Sequence, residues 1–186
     1  MRIIFIFPAL HKALTPFYEY PQLSRAERLI LANQYRILAL IDEQNTSSNE
    51  NNAEILLNGY TGLYHNLFDS LSAEVPESVT EEIHGILSMF RTIENSVASL
   101  PAGDKQQLNL IRLGFEGFDG NNDDHYHIAK FMVKKQELYE EYEKHSMNSH
   151  SSASLPRYRR QLAAFNRVHQ LMQDLTLADL MQIEAA

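Results

Sequence analysis

The chain predicts an all-α fold: a single-domain helical bundle of about six to seven helices with an N-terminal extension. Three observations carry that prediction. Apolar residues recur at spacings of three and four through most of the 186 residues. No run alternates apolar and polar residues as a half-buried strand would. Helix-start signals stand just ahead of the periodic stretches, the clearest being Ser24 and Glu27 in a Ser-x-x-Glu pattern.

Residues 1–22 form the predicted extension or arm. Their apolar run from Ile3 to Leu10 is interrupted by Pro8 and closed by His11 and Lys12. It lacks the small-residue cleavage pattern of a secretory signal and is far shorter than the ~18 apolar residues of a membrane span. The helical domain then runs from 23 to 186. In its first helix Ala26, Ile30, Ile37 and Ile41 share one face, widened by Leu31, Leu38 and Leu40. "NTSSNENN", residues 45–52, reads as a polar loop. A second helix follows through Ala53, Leu56, Tyr60, Leu63, Leu67 and Leu71, with Gly59 and Gly62 each costing up to about 1 kcal/mol relative to Ala. Two such costs point to a close helix contact or a kink.

The segment after Pro76 has the most regular stripe: Val79, Ile83, Ile86, Phe90, Ile93, Val97 and Leu100. That spacing suits a core helix of a bundle or an oligomer seam. "PAGDK" at 101–105 breaks the chain, and residues 106–118 have mixed periodicity. Helical spacing returns from about Asn122 to His145 through Ile128, Phe131, Met132, Leu138, Tyr139 and Tyr142. Residues 146–156, "SMNSHSSASLP", are a Ser-rich connection. A sixth helix carries Tyr158, Leu162, Phe165, Val168, Met172 and Leu175, and Thr176 to Asp179 caps a short terminal helix ending near Ile183.

Composition excludes several functions. With no cysteine there is no thiol nucleophile, thiolate metal site or disulfide. The net charge of −8 repels phosphate backbones, so nucleic acid is a possible but disfavoured partner that would need a local basic patch. "DGNNDD" supplies oxygens at Asp119, Asn121 and Asp123 in the spacing of a calcium loop. The pattern then fails, with Asp124 where a glycine must turn and Lys130 where a bidentate Glu must clamp. Asp123, His125 and His127 lie two apart, so on a helix they diverge. No metal and no cofactor are predicted.

The stretch "GFEGFDGNNDD" reads instead as a rigid corner. Phe115 and Phe118 anchor it in the core, Gly117 and Gly120 permit a tight backbone, and Asp119 accepts backbone N–H bonds. His150 and its neighbouring serines sit in a connection with no strand–turn–helix frame for a nucleophile. Glu81/Glu82 and Glu140/Glu141 read as solvated faces. Arg157, Arg159 and Arg160 form a candidate anion-binding cluster, with structural or interface pairing the favoured use. No complete catalytic set emerges.

Three segments, "RLILANQYRILALID" at 28–42, "GFDGNNDDHYHIAKFM" at 117–132 and "NSHSSASLPRYRRQLAAF" at 148–165, resemble the YfbU family, small bacterial proteins of unassigned activity. The resemblance implies a cytoplasmic, all-helical protein that self-associates, and it brings no catalytic residue to carry over. If the family shares a site, the matching positions Phe118, Asp119, Asn121, Asn122, Asn148, His150, Tyr158 and Arg159 should converge on it. Two functions are therefore expected. The leading one is a non-enzymatic homo-oligomeric interaction protein, joined through the 79–100 helix or the arm. The alternative is a nucleotide- or RNA-directed enzyme or ligand-binding protein using the GFDGNN corner, His150 and the Arg157–Arg160 cluster.

Overall fold

The structure, a computed structural model, describes residues 20–169 and 173–186. Residues 1–19 of the expected arm lie outside the described residues, as does Met172 of the expected sixth helix. The described residues form eight α-helices: α1 (Arg25–Ile41), α2 (Thr46–Asn58), α3 (His65–Phe68), α4 (Glu77–Ser99), α5 (Ala102–Lys105), α6 (Asp124–Lys134), α7 (Ser154–Val168) and α8 (Leu177–Glu184). They outnumber the six to seven expected because α3 and α5 are single turns of four residues. Among the described residues, the one extended pairing is an isolated bridge between Phe118 and Asn148. No helix among them is long and apolar enough to cross a membrane. The fold is all-α, and it divides into two compact units, Met1–Ala73 and Glu74–Ala186.

In the first unit, Ser24 caps α1 as its sequence predicts: Glu27 N–H donates to Ser24 Oγ at 3.2 Å, and Ser24 N–H donates to the Glu27 carboxylate at 2.7 Å. The buried cluster is small: Ala32 of α1, Ile55 and Leu56 of α2, Tyr64 and Leu67. The helix α2 begins at Thr46, inside the stretch expected to be a loop. The Thr46 hydroxyl lies 3.2 Å from both the Ala39 and Asp42 carbonyls, tying the start of α2 to the end of α1, and Asn49 is buried. Packing and these bonds outweigh the weak helix propensity of Asn and Ser.

The expected continuous helix to Leu71 stops at Gly59. Its φ of 68° is left-handed, Tyr60 N–H reaches the Ile55 carbonyl at 3.0 Å and Gly59 N–H the Leu56 carbonyl at 3.3 Å, the two closing bonds of a Schellman turn. Arg28 adds a charged donor to this negative helix end, 3.2 Å from the Leu56 carbonyl. A Cβ on Gly59 would collide with that guanidinium.

The two faces of α1 are occupied unequally. Ala32, Leu31 and Tyr35 pack into the cluster with α2. The stripe singled out in the sequence, Ile30, Ile37 and Ile41 with Leu40 beside it, lies on the opposite side and is 57, 58, 72 and 83% exposed. It is an outward face, not the core face its periodicity implies.

In the second unit α4 packs with α6 and α7, and α8 packs on α7. Ile83, Ile86, Phe90 and Ile93 are fully buried there, with Val79, Val97 and Leu100 packed at the margin. The 79–100 stripe is thus core, which corrects its alternative use as an oligomer seam. Phe90 meets Tyr158 edge-on at 4.9 Å between centroids, and Phe115 meets Phe118 at 5.4 Å and Tyr142 at 5.2 Å.

The helix α6 ends at Lys134 rather than continuing to His145. Gln136 N–H and Leu138 N–H bond back to the Phe131 and Met132 carbonyls, and Glu137 and Tyr139 take left-handed φ values of 57° and 56°. The gain is tertiary: the Tyr139 hydroxyl lies 2.9 Å from His84 Nδ1 and 3.1 Å from Ser88 Oγ. Arg91 covers its ring at 4.5 Å and pairs with Glu141. Glu141 is accordingly not the simple solvated carboxylate expected. Before α8, Thr176 and Asp179 form the predicted capping box, and Leu175 N–H donates to the buried Ser96 hydroxyl at 2.9 Å.

Candidate functional site

The corner and the Ser-rich connection meet backbone to backbone. Phe118 N–H donates to the Met147 carbonyl, and Ser149 N–H donates to the Phe118 carbonyl, both at 2.9 Å. Such an approach leaves no room for a side chain at Gly117, whose φ is 92° and where a Cβ would stand 2.5 Å from the Met147 oxygen. At Gly120 a Cβ would stand 2.7 Å from Asn148 Nδ2. Asn148 completes the join: its Oδ1 accepts the N–H groups of Gly120 and His150, each at 3.0 Å.

Asp119 is buried and organises the turn beyond. One carboxylate oxygen accepts the Asn122 side-chain amide at 2.6 Å, and the other accepts Asn121 N–H at 3.0 Å. The Asn122 bond first, then the Asn121 bond, holds the Asp119 carboxyl below the usual aspartate range. Asp119 N–H in turn donates to the Asp123 carboxylate at 3.1 Å. Tyr158 of α7 closes the base of the corner. Its hydroxyl accepts Glu116 N–H at 2.9 Å and donates to the Gly117 carbonyl at 3.0 Å, and burial pushes the phenol above its ordinary value.

Beside this corner lies a charged cluster. The Glu82 carboxylate of α4 receives Arg159 Nε at 2.7 Å and Nη2 at 2.8 Å, and lies 2.7 Å from Nε2 of the buried His125 of α6. The bidentate arginine above all, with His125 assisting, holds Glu82 down at about 2. The His125 ring packs on Phe118 at 5.4 Å, so the cluster and the corner share a wall. Glu82 is therefore no solvated carboxylate. The signal that could have found it is its position three after Val79 and four before Ile86, at the edge of the buried stripe.

The structure thus brings together Phe118, Asp119, Asn121, Asn122, Asn148, His150 and Tyr158, with Arg159 adjoining through Glu82 and His125. It does not gather the arginines. Arg157 donates to the Glu116 carboxylate at 3.0 Å, Arg159 to Glu82, and Arg160 to the Ala186 carbonyl at 2.6 Å and the Pro156 carbonyl at 3.2 Å. Each is engaged by a different acceptor. Nor, among the described residues, is a nucleophile assembled: the Ser149 hydroxyl lies 3.3 Å from the Ser151 carbonyl, and neither serine bonds a described histidine ring. His150 is exposed, in left-handed backbone at φ 52°. Among the described residues, no three His, Asp or Glu side chains are placed to share a metal ion. Chemically the arrangement is a hydrogen-bond clasp whose polar groups mostly satisfy one another, with His150 and Asn121 at its rim.

Two comparisons cover most of the chain. It is 29% identical over 167 residues to UPF0304 protein MJECS11 of Methanocaldococcus jannaschii, a match covering 87% of this chain and 98% of that protein. The relative is archaeal, so the likeness does not mark the chain as bacterial. The model of the YfbU domain matches residues 22–186, and with that span covered the chain belongs to the YfbU family.

Proposed function

We propose that this protein acts by self-association, as a non-enzymatic helical interaction protein whose homo-oligomer is built on α1. One observation carries this: the side of α1 turned away from α2 is aliphatic and exposed, while the described residues of the unit behind it bury six apolar residues. Exposed aliphatic patches rimmed by polar residues mark association surfaces. The clasp supports the same reading from the other side, because its carboxylates and arginines are occupied by internal partners. We place its work in the cytoplasm, in keeping with a cysteine-free composition. Light scattering on the purified full chain at micromolar concentration should give a mass at least twice that of one copy. A monomeric mass overturns the proposal.

A second reading, a nucleotide- or RNA-directed enzyme or ligand-binding protein, is favoured by one feature. The corner and the connection share an edge with the exposed His150 at its rim. Titrating adenosine monophosphate and a short oligoribonucleotide into labelled protein would test it. Shifts confined to residues 117–123 and 148–159 would support it, and unperturbed spectra would remove it.

A further inference from the structure

The outward face of α1 is self-complementary about its own midpoint. The helix runs from Arg25 to Ile41, and Asn33 is its central residue. Ala26, Ile30, Asn33, Ile37 and Leu40 follow a heptad seam at steps of four and three, with Ile41 beside them. Reversing the helix about Asn33 brings this seam onto itself to within one residue, an axial offset of about 1.5 Å at Ile30 and Ile37. Ile30 falls within one residue of Ile37 of the partner subunit, small Ala26 falls opposite large Leu40 of the partner subunit, and Asn33 faces Asn33 of the partner subunit. No charged residue lies in the seam.

We infer that the occupant of this face is a second copy of the chain, paired antiparallel through α1 about a two-fold axis at Asn33. This rests on the self-association proposed above and gives it a geometry. A two-fold interface requires one patch to complement itself, and this patch does so in shape, with large residues against small. It also does so in chemistry, since an Asn side chain can both donate and accept across the axis. The area is sufficient. Five aliphatic side chains of α1, Leu29, Ile30, Ile37, Leu40 and Ile41, are each more than half exposed. Together they offer roughly 500 Å² of apolar surface, near the upper end of the largest patch on a typical monomer. Two copies would bury on the order of 1,000 Å², the lower bound of a specific interface. Since α1 already packs on α2, the dimer joins two helical hairpins back to back as a four-helix arrangement.

The absence of native cysteine makes the test direct. Asn33→Cys in the full chain, mildly oxidised, should form a covalent dimer in high yield, whereas Ser47→Cys on exposed α2 surface should not. Ile30→Cys and Ile37→Cys should each cross-link poorly alone and efficiently when the two proteins are mixed. Ile37→Glu, at a position more than half exposed, should keep the helical circular dichroism and weaken dimerisation by about 100-fold, because the two-fold introduces the charge twice. Efficient cross-linking of Ile30→Cys alone would mean a parallel pairing and would overturn the geometry. A dimer by light scattering that Asn33→Cys fails to link, and that Ile37→Glu leaves intact, would remove α1 while leaving self-association standing. A monomeric wild-type chain would overturn both.

Discussion

Replacing Glu82 by Gln tests whether the cluster beside the corner is a stabilising ion network. Glutamine keeps the size and one carbonyl acceptor but removes the charge that Arg159 and His125 face. Carrying the carboxyl from an ordinary value near 4.5 to about 2 corresponds to about 3 kcal/mol of linked stability at neutral pH. That figure is a ceiling, because the Arg159 side chain is 54% exposed and the Glu82 side chain 23%. Solvent screening brings the expected loss to about 1–2 kcal/mol. The sign follows from the depressed folded value: the contribution is fully present above the unfolded value near 4.5 and drains away as pH falls toward 2. Urea unfolding of wild type and Glu82→Gln, followed by circular dichroism from pH 7 to pH 2, should therefore show two curves that converge between about 4.5 and 2. A gap that persists undiminished at pH 2 would mean that Glu82 contributes by packing and neutral hydrogen bonding, and the electrostatic account would be wrong.

Three further outcomes are expected. Gly117→Ala should destabilise the second unit by about 2 kcal/mol or more, since left-handed backbone and the Met147 oxygen both oppose a Cβ; a thermal midpoint within a degree of wild type would contradict the close approach. Tyr158→Phe should cost about 1–3 kcal/mol by orphaning Glu116 N–H and the Gly117 carbonyl, with accelerated amide exchange at Glu116 as the local check. Ile86→Ala should cost about 2–5 kcal/mol in unfolding experiments while leaving the oligomeric mass unchanged; a shift toward monomer would restore α4 as a seam.

Legibility tracked the distance over which residues interact. The capping boxes at Ser24 and Thr176 are contained within four residues, and both form as read. The α4 stripe was legible because a long, uniform period needs no knowledge of its partner. The start of α2 was missed because Thr46 bonds back to Ala39 and Asp42, and the end of α6 was missed because Tyr139 answers to His84, Ser88 and Arg91 on α4. Within the site, the glycines and Asp119 announced a tight corner through local chemistry. Glu82 did not announce its partners, which lie 43 and 77 residues away at His125 and Arg159.

The face of α1 exposes a deeper reason for one error. Hydrophobic periodicity reports that a side of a helix avoids water, but it does not report what that side meets. In α4 the stripe meets the chain's own aromatic cluster. In α1 two sides are apolar: the Leu31, Ala32 and Tyr35 side meets α2, and the Ile30, Ile37 and Ile41 side is left over after the hairpin has closed. A helix needs only one apolar side to pack in a hairpin, so a second side that carries exposed aliphatics from Leu29 to Ile41, over about three and a half turns, has no role in that hairpin. Leaving it in water favours any association that covers it, by about 25 cal/mol for each Å² removed. Over two copies of a patch of roughly 500 Å² the gross drive is about 25 kcal/mol if fully covered, to be set against the ~4–15 kcal/mol cost of immobilising a partner and the further costs of ordering side chains and desolvating polar groups. The surplus in α1 is therefore the part of the hairpin that folding leaves unexplained and that the proposed pairing would cover, carried in the same alphabet as sequence written for folding.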